Sequence, residues 1–281
     1  MLQLDTVVQA NEAGVRRPDD GLRQDIGALQ RGLLLLELMQ QAARPLTLTE
    51  LSDMAGLHTS TIHRLLQTLL QTEHVFRDTG KRYYAGPKAY MPLSMDHPFN
   101  LLRRDAYDTL RTLRDRFDVT CALNLFIGAE RLVLDLANAG DSLSPYYQTH
   151  LKSPLHAAAS GKLLLLNFPP KLRAEMLGPS PYPRFTSRTI TDPEALRLEL
   201  ECTVERGYAV AWNENFEGIS AVAGPIVPNG ARALGAITLA GPSRYFAPEI
   251  LPEMGMATRR AADLLAFGSQ GTRAVLRMMA F

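Results

Sequence analysis

Residues 46–70 read LTLTELSDMAGLHTSTIHRLLQTLL, and this stretch decides the fold of the N-terminal part of the chain. Thr47, followed three residues later by Glu50, matches a capping box, which predicts that a short helix begins here. Gly56 is a natural end for that helix. A second helix, with a leucine-rich stripe, follows almost at once, near Thr59. Two helices joined by so tight a glycine-containing turn are typical of a helix-turn-helix.

The flanking segments extend this motif on both sides. Asp25–Ala43 carries apolar residues at helical spacing, which predicts a preceding helix. His74–Arg77 and Arg82–Ala85 are short extended runs around an Asp-x-Gly turn, which predicts a β-hairpin. Three helices followed by a hairpin are the order of a winged helix-turn-helix, and we assign this domain to residues 25–90.

The second helix of the motif is polar on the side away from its leucines. Short hydroxyl side chains at a helix N-terminus approach phosphates, and longer polar side chains reach base edges in the major groove. Two cations at the hairpin tip are placed to contact the DNA backbone. The residues predicted to contact DNA are Thr59, Ser60, Thr61, His63, Arg64, Gln67, Lys81 and Arg82. The alternative is a dimerisation or protein-docking module with an ordinary solvated face.

The charge distribution supports a local rather than a global basic surface. The chain has 281 residues and a net charge of +1, which excludes a polybasic protein. Its content of 46% hydrophobic and 21% charged residues excludes a wholly disordered chain. From His58 to Tyr90, however, five basic residues stand against two acidic ones. This local surplus favours a nucleic-acid partner.

Cysteine content and the apolar segments bear on the compartment. Cys121 and Cys202 form no CxxC pair and no disulfide framework, and we expect two half-buried thiols in a reducing cytoplasm. The N-terminus lacks the pattern of a signal peptide, and residues 1–24 are interpreted as a flexible tail. The longest apolar stretches are far shorter than the ~20 residues that span a bilayer. We therefore predict a cytoplasmic protein with no membrane partner.

Residues 91–118 are interpreted as a linker and a connecting helix. Prolines from Pro87 to Pro98 indicate a joint, and Asn100–Phe117 is amphipathic with alternating arginines and aspartates. These charges have two interpretations that the sequence does not separate. They are either intrahelical ion pairs at i,i+3 and i,i+4 spacing or part of a helix that pairs two subunits.

Residues 119–281 alternate strands and helices, which predicts an α+β domain with one antiparallel sheet flanked by helices. The predicted strands are Val119–Ile127, Arg131–Ala137, Tyr208–Trp212, Ile219–Val227 and Arg232–Ala240. The predicted helices are Pro154–Phe168, Asp192–Arg206 and Pro248–Phe267. No catalytic constellation, metal-ligand spacing or cofactor motif stands out, so we predict no enzyme activity, no metal and no cofactor.

The segment Leu155–Gly161 consists largely of small residues, which allow close approach to its backbone. The strands around Ser220 and Thr238 add polar groups among apolar ones, a combination typical of a small-molecule site. Tight packing of a helix on a sheet would explain the same small residues. Composition alone leaves both interpretations open.

Several motifs occur together in a distinctive order. In the first half they are LQRGLLLLELM, the stretch quoted above and Tyr84-x-Gly86-Pro87. In the second half they are PLHAAASGK, ERGY, EGI followed by AGPI, and LAGP. With these motifs the chain resembles bacterial transcriptional regulators of the IclR type from Ile26 to Phe267. The resemblance implies a GAF-like effector domain at 119–281, double-stranded operator DNA and a small organic acid as partners, and homodimers that often pair into tetramers.

The resemblance also implies the location of an effector site. The positions it assigns to that site are Ser153, Ala159, Ser160, Ala211, Ile219, Ala221, Thr238 and Ala240. Alanine stands at three positions where relatives can carry polar side chains, which disfavours a small hydrophilic acid such as glyoxylate. We therefore expect a larger, more apolar effector, such as an aromatic carboxylate, and control of a catabolic operon. Trp212 is expected either to stack beside this effector or to lie in the core.

Two other functional classes stay open on the sequence. One is an enzyme that binds small carboxylates, which turnover of a carboxylic acid would reveal. The other is a protein-docking sensor without DNA binding, against which the local basic surplus argues.

Overall fold

The computed structural model describes residues 27–42, 44–90, 95–139, 153–228 and 232–279. The tail predicted for residues 1–24 lies outside these ranges. The chain divides into two compact units, Met1–Ser94 and Met95–Phe281, and the two are described separately. Both mix helices with antiparallel strands, so the α+β class is confirmed.

The first unit is a winged helix-turn-helix. Its elements are α1 (Ala28–Ala42), α2 (Leu48–Ala55), α3 (Thr59–Gln71), β1 (Val75–Arg77), β2 (Tyr83–Ala85) and α4 (Pro87–Tyr90). Thr47 and Glu50 form the predicted capping box. The hydrogen bond from the Thr47 backbone N–H is the main reason why the pKa of Glu50 falls to about 2. Gly56 ends α2 in the left-handed conformation, with φ of 63°.

A single apolar core joins the helices of this unit to its hairpin. The fully buried side chains of the core are Leu35, Met39, Leu46, Leu51, Ala55, Ile62, Leu66, Val75 and Tyr83. Leu46, in the connection before α2, also forms an isolated antiparallel bridge with Tyr83 of β2. The hairpin is thereby attached, at the end of β2 nearest the turn, to the segment that leads into the helix-turn-helix.

The second unit contains a five-stranded antiparallel sheet in the order β4-β3-β7-β6-β5. Its strands are β3 (Thr120–Ile127), β4 (Glu130–Ala137), β5 (Ala209–Trp212), β6 (Ile219–Ile226) and β7 (Gly235–Pro242). Its helices are α5 (Pro98–Phe117), α6 (Ala159–Leu166), α7 (Pro170–Leu177), α8 (Pro193–Arg206), α9 (Leu251–Gly268) and α10 (Gln270–Met279).

The two faces of the sheet pack against different helices. Helices α5 and α9 cover one face with large side chains such as Leu110, Phe117 and Met254. Helix α6 covers the other face, where the sheet contributes mostly alanines. Helix α5, which was expected to connect two domains, therefore contributes to the core of the second unit.

Helix α6 begins at Ala159, so the prediction that it starts at Pro154 is wrong. Ala158 is extended, with φ of −124° and ψ of 137°, and the residues before it form turns. The ring of His156 explains this, because its Nε2 lies 2.9 Å from the Pro183 carbonyl oxygen and the ring packs beside Tyr182. These tertiary contacts hold the segment outside the helix.

The predicted closing helix is two helices, α9 and α10, separated at Ser269. Ser269 is extended, and its Oγ accepts a hydrogen bond from the Thr272 N–H at 2.9 Å. The same hydroxyl donates to Asp105 Oδ2 at 2.7 Å. Ser269 thus stops one helix and caps the next. Helix α7 was not predicted, and the last strand begins at Gly235 rather than at Arg232.

Two arginines of α5 pair with other elements, so the interpretation as intrahelical pairs at i,i+3 and i,i+4 is wrong for these two, while Arg114 pairs within the helix with the adjacent Asp115. Arg116 pairs with Glu253 of α9 at 2.7 Å. Arg103 lies 3.6 Å from Asp135 of β4. Pairing of two subunits through α5 stays a prediction.

The two cysteines are not the half-buried pair that was expected. Cys121 is fully buried, and burial raises the pKa of its thiol well above the usual range. Cys202 is exposed on α8. Within the described ranges, every helix is too short or too polar to traverse a bilayer.

Candidate functional site

The exposed face of α3 presents the polar residues that were predicted to contact DNA. Ile62 and Leu66 are buried, whereas Thr59, Ser60 and His63 are exposed, as is Arg64. The residue before α3, His58, makes no side-chain cap hydrogen bond, so it leaves the N–H groups of Thr59 and Ser60 uncapped and suited to an anion. Thr61 and Gln67 are half-buried at the edges of this face.

The turn before α3 is held by Ser52. Its Oγ donates to the Leu57 carbonyl oxygen at 2.6 Å and lies 3.4 Å from the Thr59 hydroxyl. These contacts fix the start of α3 relative to α2. The sequence gives them no visible signal, because Ser52 is an ordinary position within a helix.

At the hairpin tip the two predicted cations are not equivalent. Asp78 accepts hydrogen bonds from the Arg82 backbone N–H at 2.9 Å and from Arg82 Nε at 3.0 Å. The Arg82 N–H is the main reason why the pKa of Asp78 is lowered. Lys81 stands at the tip with φ of 58° and is exposed. Arg82 therefore stabilises the turn, while Lys81 extends from it.

The local positive surplus is concentrated in a few side chains. Both acidic residues of the segment from His58 to Tyr90 are paired, because Asp78 binds Arg82 and Glu73 lies 2.6 Å from the Lys88 ammonium. The remaining basic residues of the segment are Arg64, Arg77 and Lys81. They belong to the exposed face of α3 and to the hairpin.

In the second unit, the sheet face beneath α6 is lined by alanines. Four of the predicted effector residues, Ala159, Ala211, Ala221 and Ala240, belong to one buried cluster. Ile219 lies two residues before Ala221 in β6 and therefore faces the same side. Small side chains on this face let α6 pack close to the backbone of the sheet.

A buried arginine that the sequence analysis missed organises the polar end of this face. Arg131 of β4 is only 2% exposed. Its Nη1 donates to Ser160 Oγ at 3.1 Å, and its Nη2 donates to the backbone oxygen of Ser153 and to Ser153 Oγ, the latter at 3.2 Å. The two predicted serines are thus brought together by a guanidinium group. The sequence signal that could have identified Arg131 is its position as a charged residue within a strand of β-forming residues.

Thr238 is brought together with a second missed residue, Asn124. The Asn124 Nδ2 donates to Thr238 Oγ1 at 2.7 Å, and both residues are fully buried. Asn124 interrupts the otherwise apolar part of β3, which was the signal that sequence reasoning did not use.

The first turn of α6 carries open backbone donors beside Arg131. Ala158, the cap residue, makes no side-chain hydrogen bond, so the N–H groups of Ala159 and Ser160 are not capped by it. A helix N-terminus beside a buried guanidinium is an electropositive environment suited to a carboxylate.

Lys162 anchors the same helix from its other side. Its Nζ is fully buried and lies 2.7 Å from Glu214 Oε1, 3.2 Å from Glu199 Oε1 and 2.7 Å from the Val210 carbonyl oxygen. Arg206 also binds Glu199, at 2.6 Å. Burial raises the pKa of Glu214 despite the opposing charge of Lys162. This neutral network of four charges ties α6 to α8 and to the end of β5.

Trp212 does not lie with the other predicted effector residues. Side chains alternate along β5, so Trp212 and Ala211 face opposite sides of the sheet. Trp212 packs against the large-residue core on the α5 and α9 side, and the Arg188 guanidinium lies 5.1 Å from the centre of its ring. The interpretation of Trp212 as a core residue is correct, and its assignment to the effector site is wrong.

A separate groove of about 960 Å³ lies between α7 and α8. It is lined by residues such as Arg173, Leu196 and Arg197, and by none of the predicted effector residues. Across the described part of the chain, no three His, Cys, Asp or Glu side chains are placed to hold a metal ion.

Comparison with known families decides the identity. Residues 28–78 match the IclR helix-turn-helix domain, and residues 100–266 match the bacterial transcriptional regulator IclR C-terminal domain. The chain belongs to the IclR family. It is a DNA-binding transcriptional regulator with an effector-binding C-terminal domain, as the resemblance implied. No catalytic function is indicated for this IclR-family regulator, whose relatives are transcriptional regulators.

Individual relatives agree with the assignment. "Probable transcriptional regulator SauR" of Cupriavidus necator is 32% identical to this IclR-family regulator over 241 residues, which cover 84% of this chain and 94% of that protein. The Thermotoga maritima IclR structure has a TM-score of 0.70 at 26% identity and covers 85% of this chain and 96% of its own. An IclR homologue from Microbacterium hydrocarbonoxydans complexed with 4-hydroxybenzoate has a TM-score of 0.65 at 25% identity, covering 88% and 100%.

Proposed function

We propose that this regulator binds its operator through α3 and the hairpin and responds to an organic acid larger and more apolar than glyoxylate, with an aromatic carboxylate favoured. In this proposal it controls a catabolic operon from the cytoplasm and has no enzyme activity. Residues 25–90 bind DNA, 91–118 connect, and 119–281 bind the effector. A homodimer, or a pair of homodimers, would present its recognition helices to two half-sites.

The observation that supports an aromatic carboxylate as the effector is the difference in chemistry along the face beneath α6, which is positively charged at one end and apolar elsewhere. Arg131 and the first turn of α6 supply positive charge for a carboxylate, and the surrounding sheet supplies methyl groups. An apolar body with one anionic group suits such a surface. The ligand bound by the Microbacterium homologue, 4-hydroxybenzoate, supports the same class.

The effector residues of the proposal are those of the alanine-lined face and its polar end. They are Ser153, Ala159, Ser160, Ala211, Ile219, Ala221, Thr238 and Ala240, to which we add Arg131. A small hydrophilic acid would leave its oxygens without replacement hydrogen bonds beside Ala211, Ala221 and Ala240.

Isothermal titration calorimetry tests the effector class on the full chain. We expect benzoate-type acids to bind more tightly than glyoxylate or pyruvate. Arg131→Gln, which keeps two donors but removes the charge, should weaken benzoate binding at least tenfold. Arg232→Gln is a matched control on an exposed arginine and should bind normally. Tight pyruvate binding without benzoate binding would reject the aromatic class.

The proposed DNA surface makes a separate prediction. Arg64, on the exposed face of α3, should read a base, so Arg64→Ala should cost about 1–3 kcal/mol on the operator and little on random DNA. Lys81, at the hairpin tip, should contact the backbone, so Lys81→Ala should weaken binding to both DNAs alike. Fluorescence anisotropy with the two DNAs measures this difference, and equal losses for both variants would contradict the division of roles.

The remaining residues of the proposed DNA surface are expected to support these two. They are Thr59, Ser60, Thr61, His63, Gln67 and Arg82. Arg82 acts chiefly through the turn that it forms with Asp78, so Arg82→Ala should weaken DNA binding partly by loosening the tip.

A further inference from the structure

One buried polar atom beneath α6 has no partner among the described residues. Asn124 is fully buried in β3, and its Nδ2 is used by Thr238 Oγ1 at 2.7 Å. Its Oδ1 accepts no hydrogen bond from any residue in the described part of the chain. Burying an amide oxygen without a donor costs free energy that an apolar residue at this position would avoid. Such an atom calls for a functional explanation.

The position of Asn124 places this atom at the base of the proposed effector site. Asn124 and Phe126 alternate to the same face of β3, and Phe126 packs in the alanine-lined cluster beneath α6. Arg131 pairs directly with Phe126 across the β3–β4 ladder, so it faces the same side. Asn124 is therefore the diagonal neighbour of Arg131, ~7–8 Å away.

The chemistry of the unpartnered atom restricts what can complete it. An amide oxygen needs a donor, which a carboxylate, a ketone or an ether lacks. An ammonium group is a donor, but the nearby buried guanidinium of Arg131 disfavours a second positive charge. A hydroxyl group is a neutral donor and meets neither objection. The hydrogen bond to Thr238 orients the amide so that Oδ1 is the atom left for this hydroxyl.

We propose that Asn124 selects effectors that carry a hydroxyl group in addition to the carboxylate. The carboxylate lies against Arg131 and the first turn of α6, and the hydroxyl donates to Asn124 Oδ1. This inference rests on the proposed effector site and narrows its ligand class to hydroxy-substituted aromatic acids. Asn124 is then a specificity-determining residue.

Calorimetry with matched acids tests the inference on the full wild-type chain. The probes are benzoate, its 2-, 3- and 4-hydroxy derivatives, and the corresponding methoxy derivatives. We expect one hydroxy isomer to bind about tenfold or more tightly than benzoate, because an unpaired acceptor gains a donor. Its methoxy counterpart should show no such gain, because an ether oxygen cannot donate.

The variant Asn124→Leu removes the acceptor and keeps the branching of the side chain at Cγ. We expect it to bind the hydroxy isomer no more tightly than it binds benzoate. Urea denaturation without ligand should show that the variant still unfolds in one cooperative transition, which would exclude loss of folding as the explanation. A retained hydroxyl preference in Asn124→Leu would overturn the inference.

The outcomes distinguish failure of the role proposed for Asn124 from failure of the proposed effector class. Equal affinities for benzoate and all hydroxy isomers would overturn the role of Asn124 and leave the proposed site intact, and a buried water on Oδ1 would give this result. A preference for the methoxy acids would show that the amide presents Nδ2 and would also overturn it. Failure of every aromatic acid to bind would reject the proposed effector class together with the inference.

Discussion

Replacing Lys162 with methionine removes the charge that pins α6 to the end of β5. The ammonium group is fully buried and binds Glu214, Glu199 and the Val210 carbonyl oxygen. Glu199 keeps Arg206 as a partner, whereas the side chain of Glu214, 9% exposed, is left as an uncompensated charge. Breaking a buried pair on one side typically costs ~3–5 kcal/mol, and we expect a loss of this size in the free energy of unfolding at pH 7.

The loss should depend on pH and on Glu214. Burial already raises the pKa of Glu214, and removal of Lys162 raises it further, so the folded variant takes up a proton more readily than the unfolded chain. Stability from this group is present at low pH and is lost as the pH rises through the folded-state pKa. Lys162→Met should therefore be less destabilising at pH 5 than at pH 7. The double variant Lys162→Met/Glu214→Gln should recover more than half of the loss.

Urea denaturation followed by the fluorescence of Trp212, the single tryptophan, measures these effects in the second unit. Lys171→Met is the matched control, because Lys171 is exposed on α7, and it should change stability by less than ~0.5 kcal/mol. A loss below ~1 kcal/mol for Lys162→Met would refute the reasoning. The reasoning would also be refuted if the double variant lost as much unfolding free energy as Lys162→Met and Glu214→Gln lose in total when each is measured alone.

Two further predictions concern the segment before α6. In Gly161→Ala the added Cβ would lie 2.4 Å from the Leu155 carbonyl oxygen. We therefore expect a loss of ~1–3 kcal/mol in the free energy of unfolding of the second unit, measured by urea denaturation, and weaker acid binding. A variant with wild-type stability and wild-type acid binding would contradict this close packing of Gly161 on Leu155. Burial lowers the pKa of His156, so its contribution to stability is present above the ordinary value of 6.5 and is lost as the pH falls through the folded-state pKa. The free energy of unfolding of the wild type should thus fall from pH 7 to pH 5 more than that of His156→Gln, and identical slopes would exclude this role.

The helix-turn-helix was predictable because its signals are local. The capping box of Thr47 and Glu50 and the stop at Gly56 depend on neighbours within a few residues, and the structure has all three as predicted. The role of Arg82 was less visible, because both Lys81 and Arg82 are cations at a tip. Only the turn geometry shows that Asp78 holds one of them.

The second unit was harder to predict, because the features that the sequence analysis missed depend on tertiary contacts. Helix α6 begins at Ala159 rather than at the predicted Pro154, because His156 binds the carbonyl oxygen of Pro183, which is distant in the sequence. Arg131 was not predicted because its partners lie 22 and 29 residues away in the sequence. Trp212 was placed in the site although strand alternation from Ala211 already put it on the other face.

The central claim is that an organic acid controls sequence-specific DNA binding, and one titration tests it most directly. Fluorescence anisotropy should follow the full chain binding to DNA from upstream of its own gene, with excess random DNA, at two salt concentrations and with or without hydroxybenzoates. We expect binding that weakens with salt, survives the competitor and shifts when a hydroxybenzoate is added. Folded protein that does not bind at low salt, or binding that no acid changes, would contradict it.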